Sequence, residues 1–195
     1  MRDLEIRGAG NVLGKEQHGH MDKIGYELYS KLLKEQLGEV TKDYQTELDV
    51  RLDAFIPNEY ISVSSSRMDA YKNIAEISSD NDKQNVIKQL TELYGKIPAQ
   101  VSNLINISEL KYLCQKSEVI KVEITKGKAL LILKDINTLK TCGLGESLSK
   151  YQTIATLSFG TNPMITIQCA VKSSEYILAT TIEFLKNSLT NSKLI

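Results

Sequence analysis

The chain has 195 residues, 42 % of them hydrophobic, and carries 24 lysines and arginines against 24 aspartates and glutamates. That is enough apolar material for a domain core, and zero net charge excludes both a strongly basic nucleic-acid coat and an acidic solvating tail. No apolar run approaches the roughly 20 residues of a membrane span, and no basic-then-apolar leader opens the chain.

The opening MRDLEIRG begins in mid-pattern, with no lead-in and no cap, which points to a piece cut from a longer protein. Residues 2–7 read as a helix end stopped at Gly8, and residues 8–25 are irregular and rich in glycine. Tyr26, Tyr29, Leu32, Leu33 and Leu37 then follow helical spacing, with Gly38 near the end. Residues 41–45 are polar and read as a linker. In the next stretch Leu48, Val50, Leu52, Ala54 and Ile56 alternate with charges up to Pro57, the period of a half-buried strand.

Three helices follow. The first spans about 65–77 with Met68, Tyr71, Ile74 and Ala75 inward, and the hydroxyls of Ser64 to Ser66 offer caps. The second begins after Asn81 or Asp82, turns Val86, Ile87, Leu90, Leu93 and Tyr94 to one side, and stops at Gly95. The third starts near Pro98 and buries Val101, Leu104, Ile105, Leu110 and Leu113. A hairpin comes next, with Ile120, Val122 and Ile124 on one face, a turn at Lys126-Gly127, and Ala129 to Leu133 returning. Residues 137–150 are weakly helical. A second strand pair flanks GTNP, and a final helix from Ser173 to about Ser188 groups Ile177, Thr181, Phe184 and Leu185. The expected fold is α+β: a small mixed sheet with two hairpins packed by several helices, preceded by a glycine loop and helical hairpin. The chain divides into residues 1–44 and residues 45–195.

Self-contained chemistry is thin. Gly14-Lys15 lacks the rest of a phosphate loop: position 9 is Ala9, and Glu16 stands where a magnesium-binding hydroxyl belongs. A dinucleotide fingerprint fails at Leu13. His18 and His20 have only Asp22 as a third ligand and read as exposed loop histidines. Cys114, Cys142 and Cys169 are scattered, odd in number and never in a C-x-x-C pair. They read as small apolar residues in or near a core and fit a reducing cytoplasm.

The glycine stretch fits something else. Arg2, Asp3, Leu4, Glu5, Arg7, Gly8, Gly10, Leu13, Gly14, Gln17 and Gly19 carry the frame R-D-L-E-x-R-G-x-G-x-x-L-G-x-x-Q-x-G. It resembles the TRG segment that follows the last helicase motif in the RecG and Mfd families of DNA translocases. The continuation selects the Mfd family, the transcription-repair coupling factors. Pro57, Tyr60 and Ile61 match its IP-x-x-Y-I segment, and Arg67, Tyr71, Lys72, Ile74 and Ala75 match its R-x-x-x-Y-K-x-I-A helix. The run from Leu90 to Lys111 is similar to the family's L-x-D-R-F-G-x-x-P-x-x-V-x-N-L-L-x-I-A-x-L-K. Two departures stand out: His18 replaces a serine, and Glu92-Leu93 replaces an Asp-Arg pair.

The resemblance implies a parent protein that uses ATP and magnesium to move on duplex DNA. Such a protein displaces stalled RNA polymerase and recruits UvrA for nucleotide excision repair. In that frame residues 1–44 are the tail of the second motor lobe. Arg7 and Gln17 relay the nucleotide state to the DNA grip, while Gly8, Gly10 and Gly14 give the loop its bend. Residues 45–195 are the C-terminal domain, which packs on the N-terminal UvrA-binding module and restrains the motor. The piece itself has no motor and is expected to bind no cofactor, catalyse nothing and touch no membrane. Its docking should use charged loops and one sheet face. The competing readings are a free-standing protein-binding module and a small nucleotide-binding enzyme built on the glycine loop.

Overall fold

The computed structural model describes residues 46–192. The glycine stretch, with Arg7, Gly8, Gly10, Gly14 and Gln17, and the helix expected at 26–37 lie outside the described residues. The elements run β1 (Glu47–Val50), α1 (Ser64–Ala75), α2 (Asp80–Tyr94), α3 (Ala99–Lys116), β2 (Val119–Thr125), β3 (Lys128–Leu133), α4 (Thr138–Thr141), α5 (Leu144–Lys150), β4 (Ala155–Ser158), β5 (Met164–Gln168) and α6 (Ser174–Ser192).

The five strands form one mixed sheet in the order β1-β2-β3-β5-β4. β1 lies parallel to β2, and every other pair is antiparallel. The parallel pair needs a long crossover, which α1, α2 and α3 supply. Two hairpins, β2–β3 and β4–β5, join through the β3–β5 pair, and α3 and α6 lie against the sheet. Val122, Ile124, Ala129, Leu131, Leu133, Ile165 and Ile167 are buried beneath these helices. The alternation of side chains along a strand puts all seven on one face. This is the expected α+β class with its mixed sheet and two hairpins. Among the described residues no helix is long and apolar enough to cross a membrane.

Local chemistry sets the boundaries. α2 starts two or three residues earlier than its pattern suggests, because the Ser79 hydroxyl accepts from the Asp82 N–H at 3.1 Å while Asp82 accepts from Ser78. The Ser79 cap satisfies one donor that the first turn would otherwise leave open, and Asp82 holds the entering chain through Ser78. Gly95, at φ 79°, then ends the helix in a region that side chains resist. α1 gains nothing comparable: Val63 precedes it with no side-chain cap, and Ser64 to Ser66 sit inside the first turn. β1 covers less than half of its alternating run. Its last ladder bond is from the Arg51 N–H to the Ile124 carbonyl, after which β2 ends and turns away. Ala54 and Ile56 are still buried, as the alternation requires.

The hairpin turn at Lys126-Gly127 stands where expected, with Thr125 opposite Lys128. Gly127 has φ 79°, and a Cβ there would lie 3.3 Å from the carbonyl oxygens of Cys169 and Val171. The turn is thus packed against the loop that leads into α6. A register shift between Val119 and Lys121 puts Val119, not Ile120, into the core beside Val122 and Ile124. Cys114 and Cys142 are buried, Cys169 is half-buried, and all three are free thiols. Burial pushes the Cys114 thiol far above its ordinary value, so the group stays neutral.

Candidate docking face

The segments that carry the family resemblance turn out to be fasteners. Arg67 donates to the Ile61 carbonyl at 2.7 Å, and the Tyr71 hydroxyl accepts from the Ile56 N–H at 2.8 Å. Tyr60 donates to the Leu90 carbonyl at 3.2 Å and meets the Tyr94 ring edge-on at 5.8 Å. Together they fix the irregular run between β1 and α1 onto the helices, and Ile61 and Ile74 complete the bond as buried anchors. Burial raises the hydroxyl of Tyr71 above its usual range, which keeps it a neutral hydrogen-bonding group. Lys72 is exposed. Leu93, at the position of the Asp-Arg departure, is 63 % exposed, so the change alters surface rather than core.

A second fastener was not visible in the sequence. Glu109 of α3 has a side chain only 2 % exposed, and two lysines reach its carboxylate. Lys83 of α2 donates to Oε2 at 2.5 Å and to Asn106 Oδ1 at 3.1 Å. Lys186 of α6 lies 2.7 Å from Oε1, a charge pair outside hydrogen-bond angles, and 2.8 Å from Asp80 Oδ1. Burial works against the charged form of Lys186, but Asp80 and Glu109 outweigh it and hold the ammonium above its ordinary value. Lys186 in turn pulls the Asp80 carboxyl below its own. The cluster ties three helices together. Among the described residues no group of His, Cys, Asp and Glu side chains could hold a metal ion.

The surface best shaped for a partner is the other face of the sheet. The register aligns Lys121, Ile132, Met164 and Ser158 in one cross-strand row, and Glu123, Leu130, Thr166 and Thr156 in the next. These residues alternate with the buried ones, so they point away from α3 and α6. Leu130, Ile132, Met164 and Thr166 are half-exposed. Charges border this apolar centre on the β1 side. Lys121 lies 3.1 Å from Glu123 and 3.3 Å from Glu47, and Arg51 lies 3.9 Å from Asp49. The hydrogen bonds from Lys121 to Glu123 and Glu47 raise its ammonium above the ordinary lysine value. Phe159, 75 % exposed, stands in the β4–β5 turn beside the Ser158–Met164 row. An antiparallel sheet wetted on one face normally turns polar residues outward. Three large apolar side chains at the centre of such a face suit a protein surface.

Comparison with known proteins places this arrangement. The family model described as the TRCF domain matches residues 50–142. The chain is 35 % identical over 141 residues to the transcription-repair-coupling factor of Bacillus subtilis (strain 168), covering 69 % of this chain and 12 % of that protein. It is 34 % identical over 137 residues to the Staphylococcus aureus (strain USA300) protein of the same name, covering 67 % and 12 %. The chain thus spans about an eighth of the length of the curated relatives it matches. The fold is similar to a crystal structure of the C-terminal domain of transcription-repair coupling factor, with a TM-score of 0.66 and 21 % identity over 80 % of this chain and 98 % of that one. The chain therefore belongs to the transcription-repair coupling factor family, whose TRCF domain it carries.

Proposed function

We propose that this chain is the C-terminal regulatory part of an ATP-driven DNA translocase that displaces stalled RNA polymerase and brings in nucleotide excision repair. In this reading residues 45–195 hold the motor in check by docking, through the open sheet face, on the UvrA-binding N-terminal module of the same protein. Residues 1–44 are the coupling segment against the second motor lobe. ATP and magnesium belong to that motor, as do the contacts with duplex DNA and polymerase, and the present chain supplies restraint and relay rather than chemistry. The protein works in the cytoplasm.

The observation that carries the docking role is the apolar centre of the open face, Leu130, Ile132 and Met164, on a sheet whose other side is closed by helices. Leu130→Glu with Ile132→Glu in the parent protein will place one carboxylate opposite Glu123 and another opposite Lys121, both in the middle of the contact. ATPase activity without polymerase should rise several-fold and UvrA capture should strengthen, while the melting temperature of the 195-residue chain moves little, because neither side chain is in the core. An ATPase rate and UvrA affinity equal to those of the unsubstituted protein would overturn this assignment.

The relay rests on residue chemistry. Arg7 offers a rigid fork of donors that grips a carboxylate or phosphate at two points, and Gln17 both donates and accepts, so it can exchange partners without a change of charge. In the parent protein Arg7→Ala or Gln17→Ala should leave ATP hydrolysis running while polymerase displacement falls by about tenfold or more, the worth of one well-made charged hydrogen bond. Normal displacement in both variants refutes the relay.

A further inference from the structure

β1 and β4 are the two edges of the sheet. An edge strand leaves one row of N–H and C=O groups without a ladder, and native sheets guard such rows with charge. β1 is guarded. Glu47 pairs with Lys121, and Asp49 pairs with Arg51 just past the end of the strand. β4 is not. Its four residues, Ala155–Ser158, carry neither charge nor proline, and the chain leaves it through Phe159, 75 % exposed.

The pairing with β5 determines which β4 groups are left over. The Gln168 N–H donates to the Ile154 carbonyl at 2.7 Å. Antiparallel pairs alternate between bonded and non-bonded. Thr156 with Thr166 and Ser158 with Met164 are therefore the bonded pairs, while Ala155 and Leu157 turn their backbone groups outward. The Ala155 N–H is taken by the Tyr151 carbonyl at 2.8 Å. That leaves the Ala155 C=O and both groups of Leu157, with Phe159 next in the outward series. Among the described residues no strand lies beyond them.

These groups set the occupant's shape, because only an extended strand offers donors and acceptors at ladder spacing. They also complement their own copy. Under a twofold axis at Leu157, its N–H and C=O exchange two bonds with Leu157 of the second copy, and each Phe159 N–H reaches the Ala155 C=O opposite. The acceptor left over at Ala155 meets the donor at Phe159 on both sides of the axis, as an isologous contact demands. Thr156 falls opposite Ser158, so no charge opposes the approach.

We infer that β4 is a self-association edge: two copies of this chain pair antiparallel through residues 155–159 and join their five-stranded sheets into one. The contact is small and reversible, with a dissociation constant on the order of 100 µM. It uses none of the apolar centre of the open face.

The test is sedimentation equilibrium of the 195-residue chain from about 10 to about 500 µM, where the mass should rise from one copy toward two. Thr156→Glu with Ser158→Glu sets like charges opposite each other across the axis and should weaken association about tenfold or more. Thr156→Lys with Ser158→Lys should do the same. An equimolar mixture of the two variants should recover the dimer at the unsubstituted affinity or better, since each glutamate then faces a lysine. Both positions are exposed, so the fold survives, which circular dichroism checks. Leu130→Glu should leave association unchanged. A chain that keeps the mass of one copy throughout overturns the proposal and leaves the edge to an extended segment of another protein. A mixture that fails to recover the dimer overturns it as well. So does a dimer abolished by Leu130→Glu and indifferent to charge on β4, which would make the open sheet face the contact.

Discussion

Replacing Lys83 and Lys186 together by methionine will cost the domain about 3–5 kcal/mol in urea unfolding, more than the two single losses combined. The reason lies in what remains. Glu109 is 2 % exposed, and the two lysines are the cations that meet its carboxylate oxygens. Either single variant leaves the carboxylate one cation and should cost about 1–2 kcal/mol, close to a hydrogen bond to a charged group. The double variant leaves a buried charge with no cation on it and with the Asp80 carboxylate close by, and its solvation in a dry helix junction is poor. Adding Glu109→Leu to the double variant removes the orphan and should recover most of the loss, because an apolar replacement of a whole buried ion cluster is often neutral. If the double variant equals the sum of its parts and Glu109→Leu rescues nothing, the carboxylate is hydrated in the native state and the cluster is no clamp. The pH profile gives a second reading. The folded value of Lys186 is raised, so its contribution is complete at neutral pH and below about 10.5, the ordinary lysine value, and fades as pH climbs through the folded value.

That cluster also marks where sequence reading stops. Asp80, Lys83, Glu109 and Lys186 come from three helices, and each alone looks like part of a solvated face. Nothing in local spacing says that Glu109 turns inward, since a charged residue on a helix is normally wet. Periodicity does better where one face meets a large core. Val101, Leu104, Ile105, Leu110 and Leu113 of α3, and Ile177, Thr181, Phe184 and Leu185 of α6, are all buried as their spacing demands. It fails for Leu93, which shares the stripe of Val86 and Leu90 but faces a mostly polar wall of Ser66, Asp69, Ala70 and Asn73. β1 shows a different failure. Alternation records burial, which continues to Ile56, whereas a strand also needs a partner, and β2 provides one only as far as Ile124. The sequence points to one sheet face as a docking surface but names no residue of it, because the cross-strand rows of Leu130, Ile132 and Met164 appear only once the register is known. The roles given to Arg7 and Gln17 rest on the resemblance rather than on spacing, and both residues lie outside the described residues.

Phe184→Ala will cost about 3–5 kcal/mol, the usual penalty for emptying a fully buried aromatic site. Phe184 of α6 has no exposed surface and meets the Tyr151 ring edge-on at 5.6 Å. Tyr151 cannot follow it inward, because its hydroxyl donates to Glu183 Oε1 and accepts from Asn187 Nδ2, both at 2.9 Å. The void should therefore persist instead of collapsing, which places the cost toward the upper end of the range. Domains of this size are stable by about 5–15 kcal/mol, so the loss is a large share of the total. Phe184→Leu keeps most of the volume and should cost about half as much or less. The variant also separates packing from docking. Phe184 lies on the helical side of the sheet, so its loss should free the motor of the parent protein only in proportion to the fraction of domain unfolded, and cooling should restore restraint. Leu130→Glu with Ile132→Glu acts on the opposite face and should free the motor at every temperature, with the domain still folded. Release by Phe184→Ala that persists at low temperature, in a domain still folded by circular dichroism, would mean that restraint travels through α6 rather than across the open face.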